Sequence, residues 1–424
     1  MIWRLAYTLF LWLTLPVVLA RLYWRSLREP VYRERLGERF GRYRSVTTRP
    51  VGKRLVWLHA VSLGEVHAAK PLVDRLLARH PDIEFLLTQM TAAGCQAARH
   101  LLGQQVQIVW LPYDFPFAVR AFLNRFRPDL GIIVETEVWF NLIGACHDKS
   151  VPVLLANARL SERSFLAYRR IAPLASQAFE CISQVAAQTG DDANRLMRLG
   201  ARSVCVAGNL KFDVEVSPGS QSLAGEFRAR FGSRRILLVA STRDGEEALI
   251  LDALAGKPLA GVLTVVVPRH PQRFADVAAM LERRAVRYVR RSADCEVPDD
   301  CHYVLGDSVG EMGAYYRAAD IAFIGGSLLD TGGQNFIEAC AAGIPVLIGP
   351  SVYNFALAAE LATSASAALR VEDAAGMVEC AAKLLEDPAA CRAMGDAGLA
   401  FCARHRGAAA RMTEIATKML ESRP

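Results

Sequence analysis

Carboxylates follow strand-like runs in the first half of the sequence, where they could do acid–base chemistry. Glu65 ends the stretch 59–65 (HAVSLGE), in which a turn of small residues leads into a helical pattern. A carboxylate at the start of such a helix faces a ligand more readily than a core, so Glu65 could be a general base. The spacing S-x-x-E from Ser62 to Glu65 also fits a capping box, which needs no further function. The residues alone leave both interpretations open.

A second pair of carboxylates stands in 135–139 (ETEVW). Unpaired carboxylates are costly to bury, so we expect Glu135 and Glu137 to meet a cation or a hydroxyl-bearing ligand. Two solvated glutamates at a helix start are the alternative. Lys211, in 208–213 (GNLKFD), could neutralise a developing negative charge, or it could be a solvated linker lysine.

Residue types that bind phosphate follow strand-like runs in the second half. Arg269 lies in 268–271 (PRHP), and a guanidinium suits bidentate recognition of phosphate. Glycine pairs at 325–326 and 332–333 precede 335–338 (NFIE). Backbone N–H groups at a glycine-rich helix start could cradle a phosphate, and a glutamate one turn later could accept hydroxyls of a ribose. A plain helix cap beside a loop is the alternative.

The elements that must position these residues alternate between strand-like and helical patterns from residue 54 onward. This alternation predicts an α/β chain with two doubly wound, Rossmann-like domains that face each other across a cleft, with ligands at the carboxyl ends of both sheets. Residues 214–222 have linker composition. The predicted strands are 55–61, 83–88, 106–111, 130–135, 151–156, 185–188, 236–241, 262–268, 286–289, 321–324 and 345–348.

The positive charge of the chain is confined to its first part. The 424 residues carry a net charge of +7, yet residues 1–54 hold twelve Lys and Arg against three Glu, which leaves the rest near −2. A nucleic-acid groove spread over a folded domain is therefore not expected, whereas an anionic membrane surface is. Residues 5–20 form an uncharged apolar run, about 24 Å long as a helix and short for a full span.

The basic residues after that run predict that the rest of the chain lies in the cytoplasm. A cleaved secretory signal and a buried core helix are the two alternatives for the run. The ten cysteines include no C-x-x-C pair, and no D-x-D pair suggests a metal-bound sugar nucleotide. This pattern favours reduced cysteines in a cytosolic environment and predicts no metal site.

Over almost its whole length the sequence resembles the Kdo (3-deoxy-D-manno-oct-2-ulosonic acid) transferases of lipopolysaccharide synthesis, which are inverting glycosyltransferases of the two-Rossmann GT-B type. The resemblance implies that the enzyme transfers Kdo from CMP-Kdo onto the lipid A precursor lipid IVA at the inner membrane. The motifs that carry it are 32–39 (YRERLGER), 59–65, 111–114 (LPYD), 135–139, 156–161 (ANARLS), 210–213 (LKFD), 268–271, 325–327 (GGS) and 335–338.

The resemblance also implies a role for individual residues. Glu65 would be the proton acceptor, and Glu135 and Lys211 would support the transition state, with no metal and no cofactor. The residues implied to contact the CMP moiety are Pro268, Arg269, Gly310, Glu311, Met312, Asn335 and Glu338. The sequence departs from the family at Phe140 and Phe336, where proline is usual, and at Gln334, where histidine is common.

The resemblance further predicts a domain plan. Residues 1–50 would be a membrane anchor with a basic juxtamembrane segment in contact with anionic lipids. An acceptor-binding domain would follow at 51–213, a CMP-Kdo-binding domain at 223–405 and a C-terminal helix at 406–424. The alternatives are another GT-B transferase that uses a UDP-sugar on a lipid-linked acceptor, and a membrane-tethered sugar-binding protein without activity. A nicotinamide-dependent oxidoreductase is disfavoured, since no G-x-G-x-x-G follows the first strand of either domain.

Overall fold

The computed structural model describes residues 2–43, 52–213 and 219–422, and these form two compact units. Unit 1 comprises residues 1–214 and 406–424, and unit 2 comprises residues 215–405. Each unit is built on a seven-stranded sheet in which every strand pair is parallel, with helices between the strands. The predicted α/β architecture with two Rossmann-like domains is confirmed.

The strands are numbered in the order in which they occur along the chain. Those of unit 1 are β1 (Arg54–His59), β2 (Ile83–Gln89), β3 (Val106–Trp110), β4 (Leu130–Val134), β5 (Val153–Ala158), β6 (Gln184–Ala187) and β7 (Val204–Val206). Those of unit 2 are β8 (Arg235–Thr242), β9 (Val262–Pro268), β10 (Tyr288–Arg290), β11 (Tyr303–Leu305), β12 (Ile321–Ile324), β13 (Val346–Ile348) and β14 (Leu369–Arg370).

The helices begin with one long N-terminal segment and otherwise alternate with the strands. In chain order they are α1 (Ile2–Arg28), α2 (Leu63–Arg79), α3 (Ala92–Leu101), α4 (Pro116–Phe126), α5 (Phe140–Asp148), α6 (Glu162–Arg170), α7 (Ala172–Cys181), α8 (Gly190–Arg198), α9 (Gly219–Phe231), α10 (Glu246–Gly256), α11 (Phe274–Arg283), α12 (Met312–Ala318), α13 (Ile337–Ala341), α14 (Ala356–Ser364), α15 (Ala374–Glu386), α16 (Pro388–His405) and α17 (Ala408–Glu421).

The strand order of each sheet reverses near its centre. In unit 1 the order is β3-β2-β1-β4-β5-β6-β7, so the reversal lies between β1 and β4. In unit 2 the order is β10-β11-β9-β8-β12-β13-β14, with this reversal between β8 and β12 and with β11 inserted between β9 and β10. Loops diverge at such a point and leave a crevice at the carboxyl ends of the strands, where ligands of open α/β sheets bind.

The central strands form because their residues are apolar on both faces. Every residue of β4, β5 and β9 is buried, as expected for parallel strands covered by helices on both sides. The eleven predicted strands are all present, with ends shifted by one or two residues. The three that the sequence did not predict, β7, β11 and β14, have two or three residues each and lack a long apolar run.

The N-terminal helix α1 is longer than the apolar run predicted. It extends over 27 residues and continues through Pro16, which is about 40 Å at the rise of an α-helix. By length and composition it could cross a membrane. Its side chains are largely exposed, including Leu5, Leu9 and Leu13, so the alternative of a buried core helix is wrong.

One stripe of α1 packs against unit 1 beside helix α5. The Asn141 side chain donates to Thr8 Oγ1 at 3.1 Å, and the Tyr7 and Phe140 rings meet edge to face with centroids 5.1 Å apart. Arg4 crosses Gly144 so closely that a Cβ there would lie 2.5 Å from the guanidinium carbon. The helix is therefore a docked element of unit 1 whose opposite face is apolar and open.

Two of the predicted boundaries fall on residues 44–51 and 214–218, which lie outside the described residues. The second half of the predicted linker is helical, because α9 begins at Gly219. Helix α17, in the predicted C-terminal segment, packs on α2 of unit 1, where the His80 ring bonds to the Thr417 hydroxyl at 2.9 Å.

Candidate active site

Glu65 lies in the first turn of α2, directly after β1 and thus beside the reversal of the first sheet. Its Oε2 accepts the backbone N–H of Val61 and its Oε1 accepts the Ser62 hydroxyl, both at 2.7 Å. The Ser62 oxygen in turn accepts the backbone N–H of Glu65 at 3.2 Å. The serine half of the capping box considered from the sequence therefore exists, whereas the carboxylate accepts the N–H of Val61, one residue before the N-cap Ser62. These contacts do not saturate the carboxylate, because each oxygen keeps a further lone pair.

The surroundings of Glu65 favour its protonated form. The side chain is buried, and this loss of solvation raises its pKa to about 7, with a further contribution from the negative charges of Glu135 and Glu137. The hydrogen bonds from Val61 and Ser62 act in the opposite direction. A carboxyl group that titrates near neutral pH is well matched to proton transfer at that pH.

Glu135 follows β4, the neighbour of β1, and adopts a left-handed backbone conformation with φ 61°. Such a conformation is strained for glutamate and persists only where the surroundings fix it. Here the backbone N–H of Glu135 donates to the carbonyl of Ala156 on β5 at 2.9 Å. The strained turn holds Oε1 of Glu135 3.4 Å from Nζ of Lys211.

Lys211 belongs to a short 3-10 turn, Leu210–Phe212, in unit 1. Its side chain is only 18% exposed and pairs with Glu135, so the solvated linker lysine is wrong as an interpretation. Glu137 is the third carboxylate of the group: burial raises its pKa, and the charge of Glu135 raises it further. The two solvated glutamates are likewise not what the structure shows.

Asn157, at the end of β5, holds the lysine turn in place and was missed as a site residue. It has a left-handed conformation with φ 54°, and its Oδ1 accepts the backbone N–H of Leu210 at 3.0 Å. A single amide inside an otherwise apolar strand was the available signal, since a buried polar group requires a partner.

Buried polar atoms without a protein partner gather at the same edge of this sheet. Among the described residues they include Nε2 of His59, both amide atoms of Gln89 and Nδ2 of Asn157. These residues lie on β1, β2 and β5, where each strand ends. Buried polar groups are nearly always satisfied by protein, water or ligand, so this edge is suited to a polar ligand.

In unit 2, Arg269 follows β9 and is fixed through both its backbone and its side chain. Its N–H donates to the carbonyl of Thr242 at 3.0 Å, and its Nε donates to Oε1 of Gln334 at 3.1 Å. Burial lowers the pKa of the guanidinium, and the negative charge of Glu338 opposes that shift. Gln334, one of the departures from the family pattern, thus orients the arginine.

The glycine-rich loop after β12 does not present the phosphate cradle that the sequence suggested. The N–H groups of Gly326, Ser327 and Leu328 all donate to the buried carboxylate of Glu246, at 2.5 to 2.9 Å. Those of Gly332, Gly333 and Gln334 donate to other protein oxygens. The expectation fails because the acceptor, Glu246, stands eighty residues earlier in the sequence.

The glycines serve a close approach of backbones instead. A Cβ on Gly325 would lie 2.6 Å from Cα of Thr242, and one on Gly349 would lie 2.3 Å from the carbonyl oxygen of Ser327. The loops after β8, β12 and β13 therefore pack backbone to backbone, which leaves the side chains around them to contact a ligand.

Asn335 and Glu338 form a local pair rather than two separate contacts. Nδ2 of Asn335 donates to Oε1 of Glu338 at 2.8 Å, while its Oδ1 accepts the N–H of Ile337. Burial raises the pKa of Glu338, which lies in a helix of only five residues, α13.

The segment Gly310 to Met312 follows β11, the neighbour of β9, and leads into α12. Gly310 has φ 85°, a conformation that glycine adopts without strain. The Glu311 carboxylate accepts hydrogen bonds from Nε and Nη2 of Arg291, at 3.2 and 3.1 Å. This ion pair occupies the Glu311 side chain, so its backbone is the part left for a ligand.

At the other two departures from the family pattern, Phe140 and Phe336, the side chains pack against other aromatic rings. Phe140 opens α5 and contacts Tyr7 of α1, and Phe336 is buried ahead of α13, with its ring 6.1 Å from that of Phe355. The predicted site residues thus divide between two sheet edges. Glu65, Glu135 and Lys211 lie in unit 1, and the seven predicted nucleotide contacts lie in unit 2.

The segment 241–247 (STRDGEE), at the end of β8, is the part of the second candidate site that sequence analysis missed. It repeats the spacing of the first site, since R-D-G-E at 243–246 stands where S-L-G-E stands at 62–65. A comparison of the first strand ends of the two domains was therefore the signal. Among the described residues, no three His, Cys, Asp or Glu side chains are grouped as a metal site.

Comparison with known proteins gives the family. Residues 34–214 match the family model described as 3-Deoxy-D-manno-octulosonic-acid transferase (kdotransferase), and residues 282–400 match that of Glycosyl transferases group 1. The chain is 42% identical to the 3-deoxy-D-manno-octulosonic acid transferase of Bordetella pertussis, over 88% of this chain and 89% of that one. The chain belongs to the Kdo transferase family. It is thus a glycosyltransferase, and a second such Kdo transferase, from Haemophilus influenzae, is 34% identical over 99% of both chains.

Solved structures agree with this family's two-domain fold. UDP-GlcNAc 2-epimerase from Neisseria meningitidis, bound to UDP-GlcNAc, superposes with a TM-score of 0.58 over 87% of the Kdo transferase chain and 99% of its own. At 15% identity this likeness shows the fold alone.

Proposed function

We propose that this Kdo transferase moves Kdo from CMP-Kdo onto lipid IVA with inversion at the anomeric carbon, and that Glu65 is the general base. The observation that carries the proposal is the half-satisfied carboxylate of Glu65, buried beside Glu135 and Glu137 with a pKa raised to about 7. Unit 1 would bind the acceptor and unit 2 the donor.

In the proposed step a sugar hydroxyl of the acceptor loses its proton to Glu65 as its oxygen bonds to the anomeric carbon of Kdo. The bond from that carbon to the phosphate oxygen breaks, and its electron pair leaves with CMP. Attack opposite the leaving group inverts the configuration. Glu65 then releases the proton to solvent, which returns the carboxylate to its starting state. A hydroxyl is a weak nucleophile, so a positioned base contributes about 10²- to 10⁴-fold to such a step.

Lys211 and Glu135 would act as an electrostatic pair on the same edge. The lysine ammonium, fixed by its contact with Glu135 and by the turn that Asn157 holds, would stabilise negative charge that develops in the transition state. The unpartnered polar atoms of His59 and Gln89 would be satisfied by the polar groups of the acceptor.

On the donor side, Arg269 would hold the phosphate through its guanidinium, which is positioned by Gln334. The Asn335 and Glu338 pair would form hydrogen bonds with the hydroxyls of the ribose. Pro268, Gly310, Glu311 and Met312 would line the nucleotide, with Glu311 contributing its backbone because Arg291 holds its side chain. No metal or cofactor is needed for this chemistry, since fixed donors neutralise the single phosphate.

Helix α1 would anchor the enzyme at the cytoplasmic face of the inner membrane, where its open apolar face would enter the lipid and the basic residues after it would contact anionic headgroups. Confinement of enzyme and lipid acceptor to one surface raises their effective concentration.

The experiment that tests this function incubates the purified full-length chain with CMP-Kdo and lipid IVA and determines the mass of the lipid product. We expect lipid IVA carrying added Kdo, and stabilisation of the protein by CMP but not by UDP in a thermal-shift titration. Unmodified lipid together with stabilisation by UDP alone would instead indicate another GT-B transferase.

A further inference from the structure

Three arginines of unit 2, Arg243, Arg269 and Arg273, lie near His270, but they differ in their partners. Arg273 is neutralised: it pairs with Asp244, and its Nη2 lies 3.0 Å from Oε2 of Glu247. Arg269 donates to the neutral Gln334, and the negative charge of Glu338 raises its pKa against the lowering by burial. Arg243 donates from Nη1 to Nε2 of His270 at 2.6 Å.

Neither Arg243 nor Arg269 has a carboxylate within 4.0 Å among the described residues. Their positive charges also act on each other, because Arg243 is among the groups that lower the pKa of Arg269. Two unneutralised guanidinium groups on one rim are unfavourable without an anion, and this arrangement therefore indicates a ligand with more than one negative group.

The two arginines reach this rim from different strands. Arg269 follows β9 and Arg243 follows the neighbouring β8. Both lie beside Gly326: a Cβ on this glycine would come within 2.9 Å of the Gln334 amide that holds Arg269 and within 3.3 Å of Cγ of Arg243. Gly326 has φ 67°, and because it has no side chain it leaves space next to Arg243 and to the Gln334 amide that holds Arg269.

The donor of the proposed function carries two anionic groups close together. Kdo is an ulosonic acid, so its anomeric carbon bears a carboxylate, and in a CMP-linked sugar the same carbon bears the phosphate oxygen. Both charges are thus within a few bonds of the atom that reacts. An ordinary aldose nucleotide has no such carboxylate.

We propose that Arg243 is a specificity-determining residue that binds the carboxylate of the sugar acid, while Arg269 binds the phosphate. This inference rests on the proposed donor and goes beyond it, because it assigns the recognition of the sugar to the loop after β8.

The loop that carries Arg243 is fixed for this task. The backbone N–H of Arg243 donates to Oε2 of Glu246 at 2.8 Å, and the same carboxylate holds the glycine loop. His270 must accept from Arg243 through Nε2, because a guanidinium only donates, and burial together with the nearby arginines lowers the pKa of His270 and keeps it neutral. One face of the Arg243 fork is thereby anchored and the rest is left for a carboxylate.

The test compares two ligands that differ by the sugar acid, CMP and CMP-Kdo, on the full-length enzyme. For Arg243→Gln we expect a Kd for CMP within about threefold of the parent and a KM for CMP-Kdo raised tenfold or more, since a charge-assisted hydrogen bond is lost. Arg269→Gln is the matched control and should weaken both. Arg243→Lys should recover part of the CMP-Kdo affinity, because an ammonium supplies the charge without the planar fork.

Equal weakening of CMP and CMP-Kdo by Arg243→Gln would overturn the assignment and make Arg243 a second phosphate ligand. Unchanged values for both ligands would also overturn it. Failure of the proposed function looks different, because the parent enzyme would then neither bind CMP nor consume CMP-Kdo.

Discussion

Glu65 and Glu246 occupy similar positions in the two units, but their carboxylates have different hydrogen-bond partners. Each follows a glycine at the start of the helix after the first strand of its sheet, and each accepts a backbone N–H from the loop just before it. Both stand at the point where the strand order of the sheet reverses. The sequences around them share the Gly-Glu pair at 64–65 and 245–246.

The two carboxylates differ in what the facing loop provides. Glu246 accepts four backbone N–H groups, from Arg243, Gly326, Ser327 and Leu328, which fill its acceptor sites. Among the described residues, Glu65 accepts only Val61 N–H and the Ser62 hydroxyl, and the loop opposite contributes two more carboxylates. A saturated carboxylate joins two loops, whereas a half-satisfied one with a pKa near 7 can take up a proton.

The largest effect expected in unit 1, around Glu65, is that of replacing Lys211. Lys211→Ala removes the cation that balances Glu135 and the developing charge, so turnover should fall about 10²- to 10³-fold, as for other preorganised electrostatic groups. CMP affinity should stay within about twofold, since the proposed nucleotide contacts lie in unit 2. Steady-state rates and isothermal titration with CMP check both values. Loss of CMP binding would show that Lys211 belongs to the donor site.

The half-satisfied state of Glu65 predicts a pH dependence of stability. Its folded pKa of about 7 lies above the ordinary value of 4.5, so the folded protein binds the proton more tightly than the unfolded chain. Stability is therefore lost as the pH rises from about 4.5 to about 7, by about 3 kcal/mol at most. Glu65→Gln has no such loss, so its melting temperature relative to the parent should rise between pH 5 and pH 8. A constant difference across this range would contradict the raised pKa.

On the donor side, Arg269→Ala should weaken CMP binding by about 2 to 3 kcal/mol, because a charge-assisted contact is removed from a partly buried rim. Lysine at this position should restore only part of the affinity. Isothermal titration with CMP measures both variants, and an unchanged Kd for both would make Arg269 structural.

A smaller effect is expected from Asn157, which acts through Lys211. Asn157→Gly keeps the left-handed backbone but loses the acceptor for Leu210 N–H, so turnover should fall about tenfold, or ~1.4 kcal/mol. In a Lys211→Ala background the same change should have little further effect, because the lysine that it positions is gone. Independent, additive losses would show that Asn157 does not act through the lysine.

The comparison also shows how far the sequence alone predicts this molecule. The central strands were predicted because a parallel strand buried on both faces is a continuous apolar run, whereas β11 and β14 are too short to give such a signal. Glu65, Glu135 and Arg269 were located because strand ends in α/β folds carry the ligand-binding loops.

What the sequence could not predict depends on distant partners. The pairing of Glu135 with Lys211 spans 76 residues of chain, and the hydrogen bonds of Glu246 to the glycine loop span eighty or more. Local spacing contains no information on either, so the glycine loop resembled a phosphate cradle. The same spacing also made Glu65 and Glu246 equivalent in sequence, and only the contacts separate them.

The most direct test of this separation measures turnover and melting temperature of Glu65→Gln and Glu246→Gln side by side. Glutamine at 65 can still accept from Val61 N–H and donate to Ser62, so this variant should melt no lower than the parent at neutral pH, bind CMP normally and turn over at least ~10²-fold more slowly. Glutamine at 246 leaves buried N–H groups without an acceptor, at about 1 to 3 kcal/mol each, so that variant should melt lower. A Glu65→Gln enzyme that is stable and fully active would contradict the account, because Glu65 would then be a helix cap and nothing more.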